Sequence, residues 1–128
     1  MNRTIFTTGI VFGLLAVFLG AFAAHGLEKI VDGNAIESFE TGVRYQMYHA
    51  LFLLLLSSIS EISDKAKKMI FYIIVAGVFL FSFSIYFLAT NSLTGFDFKT
   101  IAFVTPIGGL LLILGWIITG LKGWKSLK

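Results

Sequence analysis

The chain predicts an all-α membrane protein, a four-transmembrane-helix bundle, on three observations. Apolar side chains make up 57% of its 128 residues and charged ones only 13%, with a mean hydropathy of +0.90. A soluble domain carries roughly 25% charged residues, so water is not the solvent that this composition fits. Uncharged runs of spanning length recur along the chain, and Lys and Arg gather at the ends of those runs. With no low-complexity linker, residues 1–128 read as a single integral membrane domain.

The first run, residues 5–24, holds no charge. At about 1.5 Å per residue it matches a hydrocarbon core of roughly 30 Å. The flanking Asn2-Arg3 and Ala21-Phe22-Ala23 imitate a secretory signal with its cleavage site, yet the run is longer than the roughly 7–15 residues of a signal core. It is therefore read as a retained span. In the second run the continuous apolar part is Met47 to Ile59, while Asn34 suits an N-cap ahead of Ala35-Ile36-Glu37. This predicts one helix from 35 to 62, spanning over 43–62 and projecting outward from 35.

The third and fourth spans are predicted over 69–90 and 101–121. Pro106 interrupts the last. A proline inside a helix removes a donor and crowds the carbonyl four residues back, which predicts a kink near Ala102. Alternatively Thr105 caps and Pro106 opens a shorter helix. With the N-terminus inside, the inner segments hold Arg3, Lys65, Lys67, Lys68, Lys122, Lys125 and Lys128, and the outer ones Lys29, Arg44 and Lys99. Seven against three favours both termini in the cytoplasm, in one topology.

Lipid gives helices no hydrophobic reason to associate, so small residues mark where backbones approach. Gly9, Gly13, Ala16, Gly20 and Ala24 form such a seam on the first helix, either within the bundle or between copies in a homo-oligomer. The fourth helix offers Gly108, Gly109, Gly115 and Gly120, less regularly spaced. Phe71, Phe79, Phe81, Phe83 and Phe87 follow no single helical spacing and read as lipid-facing or filler, while Trp116 and Trp124 bracket the inner end of the fourth helix.

Polar groups concentrate between Gly20 and Leu53. Such groups are costly near hydrocarbon and mark candidate sites. Glu40 and Arg44 stand four apart, acid first, as an ion pair prefers. Tyr48 follows one turn on, and Tyr45 and His49 share an adjoining stripe. If the first two helices are antiparallel neighbours, His25, Glu40, Arg44, Tyr45 and His49 converge in an outer polar pocket, with Gln46 and Tyr48 beside them.

What that pocket does stays open at this point. The leading reading is a non-enzymatic bundle whose pocket stabilises the fold and binds a lipid, a small ligand or a partner helix. One alternative is a small transporter or channel for protons or a small ion, although no run carries a carboxylate at the membrane centre. Another is a membrane enzyme acting on a lipid or quinone, with His49 as general base and Arg44 holding an anion; no nucleophile with an oriented base can be named. Two isolated histidines lack metal-ligand spacing, so no metal or cofactor is expected. The absence of cysteine excludes thiol chemistry, and basic residues without interleaved aromatics argue against nucleic acid.

Three motifs carry a family resemblance over essentially the whole chain. They are residues 20–27 (GAFAAHGL), residues 39–51 (FETGVRYQMYHAL), and Thr105-Pro106-Ile107-Gly108-Gly109 with Gly115-Trp116. In this order they resemble the small inner-membrane proteins of the YgdD and YwdK type, domain of unknown function 423, which are related to a small mitochondrial membrane protein of animals. The resemblance implies a four-helix protein of the bacterial inner membrane and gives weight to His25, Tyr45, Gln46 and His49. It carries over no substrate, cofactor or catalytic residue. Ala23, where many relatives have glycine, is a mild departure.

Overall fold

The computed structural model describes residues 1–93 and 102–128. Among the described residues all regular structure is helical. Helix α1 (Asn2–His25) leads through a short 3-10 turn into α2 (Gly33–Ser58). Helix α3 (Asp64–Val78) continues through a π turn (Phe79–Phe83) into α4 (Ser84–Ala89), so that Asp64–Ala89 is one rod. Helix α5 (Val104–Ser126) completes the fold. Ile101, where the fourth run is predicted to begin, and Lys99, assigned to the outer side, lie outside the described residues.

Local chemistry sets the boundaries and corrects several expectations. Asp32, not Asn34, caps α2: its backbone is extended and its carboxylate accepts the Ala35 N–H at 2.8 Å, whereas Asn34 already lies inside the helix. Helix α2 stops at Ser58 rather than near 62. There the Ser57 and Ser58 hydroxyls bond back to the Leu54 and Leu55 carbonyls at 2.7 Å, and Ile59 turns extended. Ser63 caps α3 through Ala66 N–H, starting that helix five residues ahead of the apolar run at Met69.

Pro106 causes no kink at Ala102, which precedes α5 in a turn. It is the third helical residue, where an amide has no partner within the helix in any case. The helix begins later than the predicted span but runs on to Ser126, and Thr105 is not its cap; Phe103 precedes it with no side-chain cap bond.

Among the described residues three helical segments are long and apolar enough to cross a membrane: Asn2–Lys29, Asp64–Ala89 and Val104–Ser126. The 26-residue α2 is not among them. It nevertheless holds the middle of the fold, packed along α1 on one side and against the π turn and α4 on the other. A Cβ at Gly9 would stand 3.0 Å from the Ala50 carbonyl and from Leu54, while Gly13 faces Ala50 and Gly20 faces Val43. Ala16 is buried in the same seam, but Ala24 is exposed and Ala23 is buried in its place. A turn of 3.6 residues drifts off a strict four-residue spacing, which puts 23 rather than 24 on the contact face.

The α3–α5 side closes by the same device. Gly77 accommodates Leu112, Gly115 accommodates Ile74, and Gly108 sits directly on the backbone of Leu80 and Phe81 in the π turn. Two apolar cores result. One, around Leu53, Leu56, Ile70 and Ile74, fills the end carrying the termini, and a smaller one of Ala23, Leu27, Phe39 and Ala89 fills the far end.

Gly108→Ala should destabilise the protein by about 1–3 kcal/mol, because the added methyl meets backbone that cannot yield. Gly120→Ala, with nothing within 4 Å, should be neutral or slightly stabilising. Unfolding of both variants in detergent checks the contrast.

Candidate functional site

Between the two cores lies a layer of hydrogen-bonded side chains centred on α2. Gly42, Gln46, His49, Leu53 and Leu56 recur at helical spacing and share its buried face. Gln46 is completely buried: its Nε2 donates to the Phe12 carbonyl of α1 at 2.8 Å and its Oε1 accepts from the Tyr86 hydroxyl of α4 at 2.7 Å. A carbonyl can only accept, so the amide has just one orientation that serves both neighbours. One carboxamide thus ties three helices.

His49, 3% exposed, is fixed in the same way. Nδ1 lies 2.7 Å from the Tyr45 carbonyl and Nε2 accepts the indole N–H of Trp116 on α5 at 3.0 Å. A carbonyl demands a donor at Nδ1 and an indole demands an acceptor at Nε2, so the neutral Nδ1–H tautomer satisfies both. Ser82 donates to the Gly42 carbonyl at 2.8 Å, joining the π turn to α2, and Ser84 meets the Thr105 hydroxyl at the start of α5. Among the described residues no buried side-chain nitrogen or oxygen lacks a partner.

The candidate polar residues divide between two faces. Gln46 and His49 point into the bundle; Arg44, Tyr45 and Tyr48 are exposed, and Glu40 is half-buried. Arg44 donates to the Thr41 hydroxyl at 2.9 Å and forms no ion pair with Glu40. His25 is exposed at the end of α1, and its side chain makes no hydrogen bond among the described residues. The expected convergence of His25, Glu40, Arg44, Tyr45 and His49 therefore does not occur. Residues 40, 44 and 48 lie about 100° or more around the helix from 42, 46 and 49, and one rigid helix cannot aim both sets at the same neighbour. No group of three His, Asp or Glu that could hold a metal gathers among the described residues.

A groove of about 290 Å³ lies against this layer, lined by Tyr45, His49, Phe81, Gly109, Leu112, Ile113 and Trp116. Its walls are rings and aliphatic chains: Tyr45 stacks on Phe81 with centroids 5.0 Å apart, and Trp116 packs on Phe52 at 4.7 Å. Of its polar groups, His49 has both ring nitrogens engaged, one of them by the Trp116 indole N–H. The groove suits an apolar ligand better than an ion or a reaction in water.

Phe12, Ser82, Ser84, Tyr86 and Trp116 complete the layer, and the sequence does not single them out as site residues. A signal was present for part of it: Ser82, Ser84 and Tyr86 are hydroxyls clustered within an otherwise apolar span, and such groups need partners on other helices. Trp116, read from sequence as bracketing the helix end, spends its N–H inside the bundle.

Residues 19–109 match the family described as "Protein of unknown function (DUF423)". The chain is similar to the UPF0382 membrane protein of Haemophilus influenzae, 36% identical over 114 residues that cover 89% of this chain and 88% of that one. It is also similar to UPF0382 membrane protein YwdK of Bacillus subtilis, 36% identical over 126 residues, 93% of this chain and 94% of the relative. A Staphylococcus aureus UPF0382 membrane protein is 36% identical over 117 residues, 91% and 92% of the two chains. No solved structure matches.

Gln46→Leu should cost about 1–2 kcal/mol, since it strands the Tyr86 hydroxyl in the bundle. Tyr86→Phe, which strands Gln46 Oε1, should also destabilise, and the double variant should lose less than the sum. Equilibrium unfolding in bicelles of the four proteins measures the coupling.

Proposed function

Because the chain belongs to the DUF423 family of membrane proteins, we propose that it is a non-enzymatic four-span bundle of the bacterial cytoplasmic membrane that seats a lipid acyl chain in the groove between α2, the π turn and α5. The observation that carries this reading is the groove itself: an aromatic and aliphatic wall opening between helices, backed by a histidine already engaged at both nitrogens. Arg44, Tyr45 and Tyr48, exposed toward the far end of α2, have the character of side chains that anchor at a headgroup level.

The fourth span in this reading is α2. Its Gln46 and His49 are turned inward and satisfied by hydrogen bonds, while Leu51 and Leu55 present hydrocarbon outward. At about 1.5 Å per residue its 26 residues reach roughly 39 Å, enough to cross with part of the first turns in the interface. The seven-to-three charge bias supports an orientation with both termini in the cytoplasm.

Reconstitution with lipids bearing a photoreactive acyl chain tests the reading. Cross-links should concentrate on Tyr45, Phe81, Ile113 and Trp116, and Ile113→Trp, which fills the groove, should reduce them by roughly tenfold with the helical spectrum unchanged. Cross-links spread evenly around the bundle, or unaffected by the filled groove, would overturn it.

A further inference from the structure

We propose a second lipid site at the opposite, lysine-rich end: a cleft between the start of α3 and the last turns of α5 that binds the phosphate of an anionic phospholipid. The cleft, about 320 Å³, is lined by Ser63, Lys65, Ala66, Met69 and Lys122. Two lysines from different helices therefore border one space, and no acidic side chain lines it, Asp64 in the first turn of α3 standing outside the lining. Among the described residues neither lysine pairs with a carboxylate. Lys67, by contrast, is buried and committed: its Nζ donates to Asn2 Oδ1 at 3.0 Å.

Ser63 accepts the Ala66 N–H as the cap of α3, which leaves its own hydroxyl hydrogen free for an anionic oxygen. The same helix start turns its positive end toward the cleft. Met69, exposed on α3 beside Lys65, gives the cleft an apolar edge continuous with the lipid-facing side of the bundle. That edge favours a phosphate carried on acyl chains over a free one, and basic clefts between spanning helices are suited to such headgroups. The site is separate from the aromatic groove, so either can fail without the other.

Native mass spectrometry of the full chain, released from detergent with phosphatidylglycerol or phosphatidylcholine, tests the site. Lys65→Gln/Lys122→Gln should reduce phosphatidylglycerol retention roughly tenfold or more, and Lys125→Gln/Lys128→Gln, which removes equal charge outside the cleft, should leave it within about twofold. Equal losses in the two pairs would mean a diffuse field of basic residues and would overturn the proposal. Inorganic phosphate in excess should not displace the lipid; displacement would make the cleft a free-anion site and overturn it too. If the glutamine pair fails to fold, Lys65→Arg/Lys122→Arg decides: retention kept supports the site, retention lost removes it.

Discussion

The fold depends on one buried carboxamide. Gln46 lies where α1, α2 and α4 meet, and it has no solvent to satisfy it. In a lipid-facing bundle a stranded polar group costs far more than its net hydrogen bond contributes in water, so the position of Gln46 dictates where the Phe12 carbonyl and the Tyr86 hydroxyl must be. Apolar packing alone leaves helices free to slide or rotate against each other. This amide fixes rotation and depth for three of them at once.

His49 extends the constraint to α5, and Ser82 and Ser84 extend it to the π turn. Gln46 and His49 of α2 are aimed at other helices, while Leu51 and Leu55 are left outward. A helix that looks too polar to cross a bilayer thus becomes the axis around which the apolar ones assemble. The same arrangement removes Gln46 and His49 from the reagents available for chemistry. What remains open to ligands is the apolar wall beside them.

Helices were legible because length and hydropathy are properties of a segment alone. Their ends were less so, since Asp32 and Ser58 act through single hydroxyl or carboxylate contacts that several neighbours could equally have made. Which of the six clustered polar side chains of α2 point inward depends on the rotation of that helix, and that is set by Phe12 and Tyr86, 34 and 40 residues from Gln46. The scattered phenylalanines of the third span have a similar explanation. The π turn offsets the helix by about a residue, so Phe71 and Phe87 lie on opposite sides of a break in register, and a single periodicity cannot describe both halves.

The seat of Gly108 on the π turn bears on how the molecule is put together in time. The π turn lies in the rod Asp64–Ala89, and the surface that covers it belongs to a helix later in the chain. Until α5 is in place the backbone of Leu80 and Phe81 lacks the glycine surface that seats on it, so this contact closes only after both segments have been made.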